Sequence, residues 1–130
     1  MSMCSNAVLQ AAAVIAKTTQ TLVGVVIPCE GYDFLTLFFT YTKGDETGLI
    51  LTPIYLAKPD GTVEYPATEW SAAVGAKTGT TATYTFAATT TRHITFDVRG
   101  VSAMKFTQGG SNNDGTPTGT LAASYTLKKG

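Results

Sequence analysis

Residues 32–42 read Tyr32-Asp33-Phe34-Leu35-Thr36-Leu37-Phe38-Phe39-Thr40-Tyr41-Thr42, and their alternation decides the fold class. Successive side chains of an extended strand point to opposite faces. Leu35, Leu37, Phe39 and Tyr41 therefore share one face, and Phe34, Thr36, Phe38, Thr40 and Thr42 share the other. The first set is large and apolar throughout and is assigned to the core. The second mixes phenylalanine with threonine, which suggests that this face is covered too, by the N-terminal segment or by another chain.

Working outward, the same pattern recurs. Thr19 to Ile27 reads as a strand ended by Pro28, and Lys43 to Gly48 as a hairpin loop leading to a strand from Leu49 to Ala57. Lys58-Pro59-Asp60-Gly61 has the chemistry of a tight turn, followed by a short return strand, Thr62 to Tyr65. Pro66 to Gly79 lacks periodicity and reads as a longer loop with room for one helical turn. Thr81 to Ala87 alternates, with Ala82, Tyr84 and Phe86 inward. His93 to Val98 buries Ile94, Phe96 and Val98, and Val101 to Thr107 is anchored by Met104 and Phe106. Gln108 to Gly119 reads as a hairpin loop with a turn at Asp114-Gly115, and Leu121 to Lys128 closes the chain as a last strand. About eight strands spaced by turn residues predict an all-β, two-sheet antiparallel β-sandwich of jelly-roll or immunoglobulin-like type.

Asn6 to Lys17 (NAVLQAAAVIAK) is the one segment where helix competes with strand, because alanine favours helix while its valines, leucine and isoleucine serve either. The organisation is read as an N-terminal arm or first strand over 1–18 and a sandwich domain over 19–130.

Apolar residues make up 44% of the 130-residue chain and charged residues 14%, well under the ~25% of an ordinary soluble domain. Threonine, β-branched and suited to strands, takes the place of charge on the surface. Nine basic and nine acidic residues balance to a formal net charge of zero. No field gathers phosphate or anionic lipid, so neither nucleic acid nor membrane is an expected partner. Little self-repulsion remains to keep the protein monomeric. Cys4 and Cys29 lack the spacing of a metal or redox site and are read as reduced thiols. The apolar run Ala7 to Ala16 falls short of the ~20 residues that span a bilayer. No signal peptide is read at the start, and folding in a cytoplasm is expected.

Nothing in the sequence assembles a catalytic group. His93, the single histidine, has no acidic or cysteine neighbour and reads as a strand-edge residue. Most carboxylates fall in turns, where they cap local backbone. Asp45 and Glu46 could contribute to a calcium site, yet the spaced acidic pattern of a calcium loop is missing. No nucleophile elbow, zinc-protease or phosphate-loop motif occurs. Catalytic and metal residues, cofactors and an enzymatic role are therefore not expected. Tyr55, Tyr65 and Trp70 could stack on sugar rings, and could equally be core or anchor an interface.

The segment from Gly31 to Thr62, with Tyr32-Asp33, the Thr42 to Thr47 loop and Asp60-Gly61 ahead of Trp70, resembles the small β-sandwich structural proteins of tailed-bacteriophage virions. The Tyr84-Thr85-Phe86, His93 to Val98 and Val101 to Thr107 strands are similar as well. The resemblance implies a capsid decoration (cement) protein. It would be located in the virion after assembly in the host cytoplasm, partnered by the major capsid protein or other virion proteins, and present as a homo-oligomer, with a trimer suspected. A tail or head–tail connector component and a carbohydrate-binding module are the alternatives. The expected interface residues are Phe34, Phe38, Tyr55, Tyr65 and Trp70.

Overall fold

The computed structural model describes residues 6–17, 20–58, 64–66, 68–73, 76–81, 83–110 and 116–130, and over 66–81 it describes the strand backbone only. In chain order the strands are β1 (Ala7–Val14), β2 (Thr21–Leu22), β3 (Ile27–Pro28), β4 (Phe34–Thr42), β5 (Leu49–Leu56), β6 (Glu64–Pro66), β7 (Thr68–Ala73), β8 (Ala76–Thr81), β9 (Tyr84–Phe86), β10 (Thr90–Asp97), β11 (Ala103–Gly110) and β12 (Thr120–Lys128). Four of them form one sheet in the order β1-β12-β4-β10. A six-stranded sheet is built on the β2-β11-β5-β6 path, with β3 also on β11 and β9 also on β5. Among the described residues the strand pairings are all antiparallel.

With β7 and β8 forming a separate two-stranded sheet, taking β2 with β3 as one broken lane and β6 with β9 as another leaves eight lanes in the two main sheets. The chain changes sheet at every step from lane to lane except between β5 and its β6/β9 neighbour. That wrapping is a jelly roll and not an immunoglobulin order.

The alternation of residues 34–42 holds. Leu35, Leu37, Phe39 and Tyr41 are buried, joined by Leu121 and Ala123 from β12 and Phe96 from β10. Across the gap the six-stranded sheet contributes Leu49, Leu51, Met104 and Phe106 to the same cluster. Phe96 meets Phe106 with ring centroids 5.4 Å apart, and Phe39 meets Phe86 at 5.2 Å, so aromatic contacts tie the sheets together. Each such side chain, fully buried, stabilises by about 1.5–3 kcal/mol. A smaller cluster of Ile54, Leu56 and Ala103, with Val26 against it, lies apart from the main core.

Several local expectations are corrected. The N-terminal segment, left open between helix and strand, is a strand, and it does not cover the Phe34/Phe38 face. It is β1, lying beside β12 in the plane of the sheet, with Ala7 opposite Tyr125 and Val14 opposite Thr120. Pairing with β12 overrides alanine's helical preference. The single strand expected over Thr19 to Ile27 is two short ones, interrupted at Gly24, where φ is +63°. Lys43 to Gly48 is not a hairpin loop, because β4 and β5 lie in different sheets. Gln108 to Gly119 is not one either, since Gln108, Gly109 and Gly110 belong to β11 and the chain then crosses to β12 in the opposite sheet. The loop over Pro66 to Gly79 is replaced by the β7–β8 strand pair, in register from Thr68–Thr81 to Ala73–Ala76. The turns expected at Pro59-Asp60-Gly61 and at Asp114-Gly115 lie outside the described residues.

Candidate functional site: the outer face of the four-stranded sheet

The side of β4 turned away from the core carries Phe34, Thr36, Phe38, Thr40 and Thr42, and register places its neighbours. His93 and Ser124 stand directly opposite Phe38 on β10 and β12, while Thr95 stands opposite Thr36 and Thr91 opposite Thr40. The threonines pair across the strands, Thr36 Oγ1 to Thr95 Oγ1 at 2.9 Å and Thr40 Oγ1 to Thr91 Oγ1 at 3.3 Å. Between these hydroxyl pairs the Phe38 ring lies 5.9 Å from the His93 ring and remains 38% exposed. Toward β1, Val8 lies opposite Ser124 and is 77% exposed. Asn6 Nδ2 donates to Ser124 Oγ at 3.1 Å.

Together these residues form a shallow open groove of about 580 Å³ between β1 and β10, lined among others by Val8, Phe38, Thr40, His93, Ala122 and Ser124. No carboxylate lines it. At the far end of β4 the character changes. Arg99 lies over the Phe34 ring at 5.6 Å and pairs with Asp97 at 2.6 Å, and its hydrogen bond holds the Asp97 carboxyl at about 2. The face thus runs from an ion-paired end at Phe34 to an uncharged aromatic and aliphatic middle at Phe38 and Val8.

The other expected interface residues are elsewhere. Tyr55 and Tyr65 oppose each other across β5 and β6 in the second sheet. Tyr55 packs against the main core, whereas Tyr65 is 58% exposed. Trp70 is on β7 opposite Gly79, and its side chain lies outside the described residues. The structure therefore unites Phe34 and Phe38 on one face and separates them from the tyrosines.

One site escaped the sequence reading. Glu46, considered above as a calcium ligand, is 2% exposed. Its Oε2 accepts hydrogen bonds from the Tyr41 hydroxyl and from Gly44 N at 3.0 Å. Its Oε1 accepts from Gly119 N at 2.8 Å and Thr118 N at 3.2 Å. A carboxylate committed to four donors has little left to offer a cation. Burial by itself would raise this carboxyl, but the bonds from Tyr41 and from the backbone outweigh it and hold the group at about 2. Burial, and then the bonded carboxylate, push the Tyr41 hydroxyl up. Glu46 so clasps the β4–β5 crossover to the segment entering β12, and Gly119 O in turn accepts Ile15 N at 3.1 Å just beyond β1. Its partners on Thr118 and Gly119 are more than seventy residues away in the chain, so no local motif announced it.

Among the described residues no group of three or more His, Cys, Asp or Glu side chains could hold a metal ion, and no helix is long and apolar enough to cross a membrane. Cys29 is free and buried, its thiol donating to Ile27 O at 3.3 Å, and burial pushes it up to about 12. Cys4 lies outside the described residues.

No protein-family model matches the chain, and no curated protein matches it by sequence. Its fold is shared with solved structures. SPBc2 prophage-derived protein YomS superimposes with a TM-score of 0.60 at 11% identity, covering 99% of this chain and 96% of that one. The VP2 subviral particle of infectious bursal disease virus gives 0.54 at 7% identity, and the T13 particle of that virus gives 0.51 at 11%. In both, 98% of this chain is covered, and it spans only 32% and 31% of the viral chains.

Proposed function

We propose that the protein is a virion structural protein, and specifically a decoration or cement protein of a phage head that works through protein contacts and carries no catalytic step. The observation that carries this reading is the middle of the outer face of the four-stranded sheet, away from the Asp97–Arg99 pair at its Phe34 end. It exposes Phe38 and Val8 in an open groove with no carboxylate in its lining. Apolar surface rimmed by hydroxyls, on a scaffold locked by a buried clasp, suits a protein that gains stability by covering a neighbour. The fold shared with a prophage-derived protein over nearly the full length of both chains, and with part of a viral capsid protein, supports the same setting. In this reading the partner is the major capsid protein, and Phe38 is the centre of the contact.

The test adds purified protein to phage shells that lack it. Binding, together with a rise in the temperature at which the shells break, is the expected result. Shells that neither bind it nor gain heat resistance would reject the cement role, and attachment confined to the tail or its junction would move the protein to a connector or tail station.

A further inference from the structure

Every sheet has two edges, and the two edges of the four-stranded sheet are unlike. β10, at one side, carries Arg92, His93 and Asp97. β1, at the other, reads AVLQAAAV, with no charge and no proline. Its inner side is paired to β12, and among the described residues no strand pairs with its outer side. The first part of that outer side is walled off. A Cβ on Gly24 would lie 2.0 Å from the Leu9 carbonyl oxygen, and Gln10 bridges the irregular register by donating to Leu121 O at 2.9 Å and accepting Gly24 N at 3.3 Å. The remainder is open. The register with β12 shifts once more between Gln10 and Ala13, and Ala11, Ala12, Ala13 and Val14 are all exposed, Val14 by 60%.

An edge with open backbone donors and acceptors and no protecting charge invites another strand. We infer that the Ala11–Val14 edge of β1 pairs antiparallel with the same edge of a second copy of this chain, about a two-fold axis near Ala12 and Ala13. Charge selects the mate. Against β10 of a neighbour, β1 would set alanines across from Arg92 and Asp97, whereas against itself it places only small neutral side chains in register, with no like charges opposed. Pairing of this kind joins two four-stranded sheets into one and brings two of the open grooves side by side on a common face. It rests on the assembly reading above, since it doubles the surface that reading uses. It also departs from the three-fold arrangement that the sequence resemblance implies.

The experiment measures the mass of the full chain by sedimentation over a range of concentrations, beside Ala12→Lys, Ala13→Lys and Ala12→Ser. The expected result is a dimer for the parent and for Ala12→Ser. Each lysine variant should associate roughly tenfold more weakly or worse, because its charge is repeated across the axis, with melting temperature unchanged. A parent that is monomeric or trimeric, or a dimer that survives both lysine substitutions, overturns the inference. Should a lysine variant unfold, hydrogen exchange of the parent decides: protection of the Ala11–Val14 amides must rise with concentration, and protection independent of concentration overturns the pairing. Shell binding is scored on the same samples. A monomeric parent that still binds shells leaves the capsid reading standing alone, and a dimeric parent that binds none leaves the pairing standing alone.

Discussion

Glu46 Oε1 accepts the Gly119 amide at 2.8 Å, and a Cβ on Gly119 would come within 2.1 Å of Glu46 Oε2. The carboxylate and the bare glycine define one another: the acid needs the amide, and the amide can come that close only without a side chain. Replacing Glu46 by alanine leaves the Tyr41 hydroxyl and the Gly44, Thr118 and Gly119 amides without their acceptor, and should cost about 3–5 kcal/mol. Glu46→Gln keeps the shape, but its amide nitrogen cannot accept, so a smaller loss of about 2 kcal/mol is expected. Urea denaturation of the three proteins checks both values.

The same clasp sets an acid limit. Glu46 stands at about 2 in the folded protein against an ordinary value of 4.5. A carboxyl lowered by folding contributes stability that is complete above its unfolded value and is lost as pH falls toward its folded one. Stability should therefore drop by about 3 kcal/mol between pH 4.5 and 2 from this group, with Asp97, also lowered, acting in the same direction. Tyr41, raised by folding, should add a loss in strongly alkaline solution. Melting curves across pH should show the acid loss for the parent and a flatter profile for Glu46→Gln.

Glycines should separate by mechanism. Gly119→Ala drives a Cβ into the Glu46 carboxylate and within 2.8 Å of the Thr42 carbonyl oxygen, and should destabilise by about 2–4 kcal/mol. Gly100→Ala meets nothing within 4 Å but sits at φ +80°, so only the backbone conformation is penalised, by about 1 kcal/mol. Thermal unfolding of the pair should rank them in that order.

Cys29 should behave as a reporter of unfolding. A buried thiol pushed up to about 12 presents almost no thiolate at neutral pH. Alkylation mapped to Cys29 by mass spectrometry should be negligible in the native protein and should rise with urea along the unfolding curve.

Phe38→Asp should separate folding from binding. Phe38 is 38% exposed and faces away from the core, so the change should alter stability by no more than about 1 kcal/mol. Placed at the centre of the proposed contact, it should abolish attachment to shells, as a buried unpaired carboxylate opposes association. Binding and melting measured on one preparation check both halves.

The core was legible because a strand's period of two is written residue by residue: Leu35, Leu37, Phe39 and Tyr41 are buried as their spacing predicts. What alternation omits is which sheet the next strand joins. Loop residues 43–48 have the composition of a reversal, and a reversal within one sheet and a crossover to the other use the same glycines and charges. The Phe34/Phe38 face was visible as a face, though not as an uncovered one, because that depends on where β1 lies. Alanine's preference for helix gave no hint that β12 would claim it. Glu46 was opaque for a related reason, since its role is fixed by Thr118 and Gly119, far along the chain.

Because Ala7 pairs with Tyr125, β1 has its partner in a strand made long after it. A nascent chain would carry this neutral, sticky ribbon unmated until the ribosome has delivered β12, and the four-stranded layer can close only then. Folding should accordingly be late and slow, limited by the search over that span, and most exposed to aggregation while the ribbon waits.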